Sequence, residues 1–454
     1  MKFGTSDQRH IDTIKVNLPT LSVIIMFIIF SLFGGAEPRL NFNIILMFIS
    51  GIFLIFSLTI NNVAVIFGKL PVYVRLVIVA PIILPLIQLI PLPPEVWTHL
   101  PGQSLRFDVL HLVGTAESWQ SLSLTPAATA YTAVMGIFFS AFLVACISIP
   151  HRQFSFVVLT AIIIAVLGVV IGAFQFSGAF PALNFHENAH TNVVVGFFAN
   201  KNHMALILAA TLVLTKWFIH TTKLKIPQFM FLFYTVFLVV AVLATNSRAG
   251  IALMFIALFL TFSSALQGSS KKLLFIGIII LAVGFYAVSY SSTFSLVYER
   301  FSDVSDDGRW TFLVNSLPLL SEFYIFGAGY GSFSSVYINH ESIEALSPVY
   351  TNQLHNDYFQ LVIEGGFMGV LALALAGYSV FQAWRVGKEN KSLRDSVWVG
   401  LSVVMLFGVH SIVDYPLRRP AALMYFCVGL ACVFRLLLPT AESSAKRMRA
   451  TQTA

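Results

Sequence analysis

Between Glu187 and Glu299 the chain contains no aspartate or glutamate, and charged residues of both signs make up only 10% of the whole. Soluble domains carry about 25% charged residues. Scarcity on this scale excludes a soluble enzyme. Cysteine is scarce too: Cys146, Cys427 and Cys432 each sit inside an apolar run. They read as small buried hydrophobes, which excludes a disulfide framework and a cysteine-based metal site. The first apolar run lacks a small-residue cleavage site, so it is expected to be a retained span. Apolar residues are what the chain has in plenty, 57% of 454 positions, with a mean hydropathy of +0.84. The surplus must face lipid, so the expected fold class is all-α and polytopic.

About twelve runs are long enough to cross the roughly 30 Å of bilayer hydrocarbon. They lie near 19–35, 40–60, 72–91, 127–149, 154–176, 202–219, 227–245, 248–266, 272–290, 357–384, 397–413 and 420–438. Pro81 and Pro85 are expected to kink the third. Residues 1–18 and 439–454 read as polar tails, 19–176 as a region of five spans, and 177–438 as a second region of seven. With both termini cytoplasmic, most Lys and Arg fall inside and most Asp and Glu outside, as the positive-inside rule requires. Three substantial loops then face outward: 92–126, 177–201 and 291–356. The last lies between the ninth and tenth spans, and its Trp310, Phe312, Leu313 and Leu317 suggest a short interfacial helix. Loops this long usually carry function.

With this sidedness the even-numbered spans start at the outer face, presenting positive dipole ends and unpaired N–H groups there. Several nevertheless begin with cations: Lys201 in "ANKNHMALIL", Arg248 in "NSRAGIALM", and Arg418 and Arg419 in "DYPLRRPAALMY". A cation at that end of a helix sits at the wrong pole of the dipole. Together with Arg309 from the large loop, these groups suit a phosphate or diphosphate arriving along the membrane. Plainer roles stand beside this one. Arg248 and Lys201 could anchor a helix end in headgroups, Arg418 and Arg419 are adjacent and cannot both face one pocket, and Arg309 could pair with Asp306 or Asp307.

"QLHNDYFQLVIEGG" opens another span. His355 there could be a general base, since imidazole titrates near neutrality, or "HND" could be helix-cap chemistry involving Asp357 and Gln360. Glu364 continues the polar stripe into the membrane, where an acid is functional or paired with an arginine. "HENAH" (186–190) lacks zincin spacing. Asp303, Asp306 and Asp307 form an acidic turn that could bind a divalent ion but is more simply solvated. "GAGYGS" (327–332) has no preceding strand and implies no nucleotide fold. Gly365, Gly366 and Gly369 are expected to allow close helix packing.

The ordered set "FFANKNHMA", "TNSRAGIAL", "GRWTFLVNSLPLL…FGAGYGSF", "LHNDYFQLVIEGGFMGVL" and "HSIVDYPLRRP" resembles the O-antigen ligase and O-antigen polymerase superfamily, over about residues 190–425. The resemblance implies a C-type glycosyltransferase-like fold whose large periplasmic loop covers the site. It also implies an undecaprenyl-diphosphate-linked glycan donor, an acceptor hydroxyl on a glycan or on lipid A core, and no metal or other cofactor. By position Arg248 and Arg309 would hold the diphosphate and His355 would be the base. Asn200, Lys201, Asn202, Asn356, Asp357, Glu364, Asp414 and Arg418 would contribute to substrate binding. The expected partners are that donor and acceptor, membrane lipids and other polysaccharide-assembly membrane proteins, with no nucleic acid. Two rivals remain: a lipid-linked-sugar flippase or secondary transporter, and a cell-wall polymerase of the shape-and-division type, whose motifs are missing.

Overall fold

The computed structural model describes residues 16–35, 51–52, 63–178, 180–186, 190, 193–262, 308–341, 351–389 and 394–439. The expected span at 40–60, apart from residues 51 and 52, the span at 272–290, and the acidic turn with Asp303, Asp306 and Asp307 lie outside these residues. The architecture is mostly helical. Apolar runs form α1 (Leu18–Phe33) and α2 (Val72–Gln88). A two-residue strand, β1 (Pro91–Leu92), then precedes the short α3 (Ser104–Leu112), and β2 (Gln120–Ser121) pairs antiparallel with β1. Next come α4 (Pro126–Ser148), α5 (His151–Ser177), α6 (Lys201–Thr222), α7 (Gln228–Ala244) and α8 (Arg248–Phe262). The described part of the large loop folds into α9 (Gly308–Asn315), α10 (Leu317–Phe323) and α11 (Phe333–Tyr337). The chain then forms α12 (Asp357–Glu389), α13 (Arg394–His410) and α14 (Pro420–Phe434).

Among the described residues, 5 helices are long and apolar enough to cross a bilayer: α4, α5, α6, α12 and the helix beginning at Pro420. The shorter apolar helices α1, α2, α7, α8 and α13 accompany them. The centre of the bundle is α6, which packs against α5, α7, α8, α13 and α14. Its residues from Lys201 to Thr215 are all buried. A helix apolar on every side has no solvent face to offer and is stable only when surrounded. At α2 the expected prolines are accommodated inside one continuous helix. Gly136 of α4 makes room there, since a Cβ would come within 2.2 Å of the Pro81 carbonyl oxygen.

The glycines of α12 have a different purpose from the expected helix–helix packing. Gly366 adopts φ 59°, ψ −152° and breaks the helical geometry. That conformation is open in practice only to glycine. The freed backbone pairs with the loop after α10: Phe367 N donates to the Ile325 carbonyl at 3.0 Å, Ala328 N to Ile363 at 2.8 Å and Gly329 N to Glu364 at 3.1 Å. The Gly-rich run cooperates, with Gly327, Gly329 and Gly331 all at positive φ. A Cβ on Gly366 would lie 2.5 Å from the Ile325 carbonyl oxygen and 2.6 Å from the Gly327 nitrogen. Sequence alone shows the small residues; it does not show that their neighbour is an irregular loop.

Gly366→Ala is therefore expected to destabilise by at least the ~1–3 kcal/mol of a forced backbone conformation. Gly377→Ala, in the same helix with open space around its Cβ position, should be neutral or slightly stabilising. Thermal unfolding of both variants in detergent checks the contrast.

Candidate functional site

Three helix starts and one interhelical turn meet in a single layer. At α6, Asn200 is the N-cap, its side-chain oxygen accepting from Asn202 N at 2.8 Å. At α8, the Ser247 hydroxyl accepts from Gly250 N at 2.9 Å. At α12, Asn356 Oδ1 accepts from Phe359 N at 3.0 Å. Asparagine and serine suit these places because their short side chains satisfy N–H groups the helix leaves open. Asn356, rather than Asp357, is thus the cap of α12. The α13–α14 turn is tied in by hydrogen bonds from Asp357 N to the Ser411 carbonyl at 2.9 Å and from Asn356 Nδ2 to the Ile412 carbonyl at 2.9 Å.

Asp414 lies where these elements meet and is fully buried. Asn202 Nδ2 donates to its Oδ2 at 2.7 Å, and Tyr415 N to its Oδ1 at 2.9 Å. Asn200 Nδ2 is 3.5 Å from both oxygens. Three imidazoles surround it: His203 Nε2 at 3.4 Å, His355 Nδ1 at 3.4 Å and His410 Nε2 at 4.0 Å. Arg309 Nη2 comes to 3.6 Å of Oδ2 from α9. Burial alone would raise the carboxyl pKa, but His203, His355 and His410 outweigh it and hold Asp414 well below the usual carboxylate range. The carboxylate is accordingly charged.

His355 reaches this layer from just before α12, in a left-handed conformation with φ 58°. Its ring stacks on Phe312 at a centroid distance of 6.1 Å and meets the edge of Tyr415 at 4.7 Å. With Nδ1 turned toward Asp414, Nε2 is left for other chemistry. Arg248 is the first residue of α8, directly after Ser247, whose hydroxyl donates to Asn202 Oδ1 at 2.7 Å. Hydrogen bonds therefore run from the residue before Arg248 through Asn202 to Asp414. Lys201 is buried at the first position of α6.

Asp357, Glu364 and Arg418 form a second cluster and are matched to one another. Arg418 Nε lies 3.2 Å from Asp357 Oδ1, and Nη1 donates to Glu364 Oε2 at 2.7 Å. Glu364 Oε1 accepts from Gln360 Nε2 at 3.0 Å and Phe333 N at 3.3 Å. Ser411 Oγ donates to Asp357 Oδ2 at 2.9 Å. Burial opposes the Arg418 charge, yet Glu364 and Asp357 outweigh it and raise its pKa above the ordinary arginine value. The neighbouring Arg419 takes another direction, its guanidinium 4.9 Å from the Tyr415 ring centroid.

His203 and His410 were not singled out by sequence reasoning, although both stand in quoted motifs. The available signal was the four-residue spacing of His410 and Asp414, which puts both on one side of a helical turn. His203, His410 and Asp414 offer ligand atoms within 4.8 Å of one another, a spacing that could hold a metal ion. The same carboxylate already accepts from Asn202 and Tyr415 N and faces the Arg309 cation, all of which compete with a metal.

Removing one member of a buried ion cluster strands the others. Arg418→Ala should destabilise by about 3–5 kcal/mol, measured as a loss of thermal stability in detergent. Combining it with Asp357→Asn and Glu364→Gln should recover much of that loss, a coupling read from the mutant cycle.

Residues 233–374 match the family model described as Wzy_C, O-Antigen ligase. No curated protein matches the chain. The matched stretch takes in Arg248, Arg309, His355, Asn356, Asp357 and Glu364, while Asn200, Lys201, Asn202, Asp414 and Arg418 lie beyond its ends. With its several apolar helices and this match across α8 to α12, the chain carries a domain of the O-antigen ligase and polymerase superfamily.

Proposed function

We propose that the protein is a metal-independent glycosyltransferase of the polymerase or ligase type. It takes a glycan from an undecaprenyl-diphosphate-linked donor and passes it to a sugar hydroxyl at the periplasmic face of the inner membrane. One observation carries this reading: His355 Nδ1 and Arg309 Nη2 approach the same buried carboxylate, Asp414, at 3.4 and 3.6 Å. A base and a cation are thereby held side by side where three helix starts converge.

Each group has a defined part in the reaction. A sugar hydroxyl is a weak nucleophile, so His355 Nε2 takes its proton as the oxygen attacks the anomeric carbon. Asp414 keeps Nδ1 protonated and stabilises the imidazolium that forms, as an orienting carboxylate does in other His–Asp pairs. The bond from the anomeric carbon to the phosphate oxygen breaks, and the departing diphosphate gains charge. Arg309 and Arg248 stabilise that charge more in the transition state than before it, each contributing about 3–4 kcal/mol. A single displacement inverts the anomeric centre. The activated donor supplies the free energy, so no nucleotide is consumed. Asn200, Lys201 and Asn202 extend the same layer for substrate contacts. The ionisable residues around Asp414 lie at helix ends and an interhelical turn, which favours transfer over a transporter's mid-span sites.

Arg248→Ala, Arg309→Ala and His355→Ala should each lower transfer by about 10²-fold or more while the protein stays in the membrane. The assay uses purified protein and lipid-diphosphate glycan, alone for polymerisation and with core lipid for ligation. Near-normal transfer by the Arg248 and His355 variants would remove the mechanism. Inhibition by chelator with recovery on adding Mg²⁺, Mn²⁺ or Zn²⁺ would redirect attention to Asp303, Asp306 and Asp307 or to His203, His410 and Asp414.

A further inference from the structure

Helix α3 has three distinct faces. Arg106 and Phe107 point into the protein: Arg106 Nη1 donates to the Ser121 carbonyl at 2.7 Å and Nη2 to the Ser123 carbonyl at 2.6 Å, while Phe107 meets the Trp97 ring at 6.3 Å. Ser104, Asp108 and His111 form an exposed polar edge. Between these faces run Leu105, Val109, Leu112 and Val113, spaced as one helical stripe, with Leu112 85% and Val113 65% exposed. Trp119, shortly after, is 64% exposed. The arginine anchors fix the rotation of the helix, so the stripe cannot turn inward.

The surroundings identify what covers it. The α3 segment is fastened to the loop after α10: Leu124 N donates to the Ala328 carbonyl at 2.9 Å, and Gly102 leaves no room for a Cβ beside the Phe323 ring. That loop is bound in turn to α12 at Ile363–Phe367, roughly 9–15 Å along the chain's helical path from Asp357 at 1.5 Å per residue. Ile325 and Phe326 are exposed at this level, next to exposed Phe367 and Met368 of α12. The end of α2 joins the same surface, for Gln88 Nε2 donates to the Phe326 carbonyl at 3.1 Å while Leu86, Ile87 and Ile90 are exposed. On α9 Trp310 and Val314, four residues apart, are exposed, and Leu317 at the start of α10 is exposed as well. The loop to which α3 is fastened thus adjoins exposed apolar residues of α2 and α12.

We propose that α3, with α9 and α10, is a monotopic element seated in the lipid leaflet on the side of the Asp414 layer. The α3 stripe and Trp119 enter the acyl boundary, and Asp108 and His111 remain among headgroups and water. The inference stands on packing and exposure and is independent of the proposed transfer chemistry.

The test is nitroxide depth measurement on the full chain in liposomes of phosphatidylethanolamine and phosphatidylglycerol. Labels are placed on Leu112→Cys, Val113→Cys and Asp108→Cys; the native Cys146, Cys427 and Cys432 are buried, and the unsubstituted chain gives the labelling background. Relaxation of the Leu112 and Val113 labels mainly by oxygen, with the Asp108 label relaxed mainly by a nickel chelate, supports the proposal. Ready access of the chelate to all three labels overturns it. Shielding of Leu112 and Val113 from both reagents, with spin–spin broadening, also overturns it and identifies a second copy as the occupant.

Discussion

A carboxylate removed from solvent must be matched on nearly every lone pair, or its charge is too costly to keep. Asp414 takes hydrogen bonds from Asn202, Asn200 and the Tyr415 N–H, and imidazole and guanidinium neighbours gather round it from distant parts of the chain. Asn202 and His203 come from the start of α6, Arg309 from α9, His355 from the approach to α12, and His410 and Tyr415 from its own turn. Asn202, His203, Arg309 and His355 stand at or just before helix starts and His410 and Tyr415 at the α13–α14 turn, so the geometry of the layer is fixed by bundle packing. A group held in place before reaction needs little reorganisation during it, which is where electrostatic catalysis gains most.

The Arg418 cluster supports this layer from behind. It joins α12, the α13–α14 turn and the start of α11 through Asp357, Glu364, Ser411 and Phe333. Gln360 and Gln88 extend the connections to Leu354 N at 3.0 Å and Tyr330 N at 3.0 Å. These contacts lock the loop that follows α9 and α10 to the helix that follows His355. Arg309 and His355 belong to separate segments, yet their relative placement rests on a shared, largely dry polar network.

Much of the bundle was legible because membrane helices declare themselves by length and apolarity. That Lys201 and Arg248 open helices and His355 precedes one was also legible, since helix starts and residue type are both local facts. Pairing was not. Read singly, Glu364 suggests a substrate ligand or an arginine partner, Asp357 a cap or a ligand, and Arg418 a ligand; only the packing of α12 against the α13–α14 turn shows that the three pair with one another. The Gly365–Gly369 run has the composition of a helix-packing motif, and nothing local says that the Ile325–Gly329 loop fills it. Helix α3 is too short and too polar to register as a span, and its outward stripe has meaning only once Arg106 fixes its rotation. His203 was hidden by its setting, a lone histidine at the edge of an apolar run behind Asn200, Lys201 and Asn202.

The central claim is that the negative charge of Asp414 organises the imidazole and guanidinium groups for glycan transfer. Its most direct test is the transfer rate of Asp414→Asn per folded protein, with purified lipid-diphosphate glycan as donor. The side chain keeps its shape and loses its charge. The account predicts a fall of about 10²–10⁴-fold, the scale on which a His–Asp pair depends on its carboxylate. A rate close to that of the unsubstituted protein would contradict it.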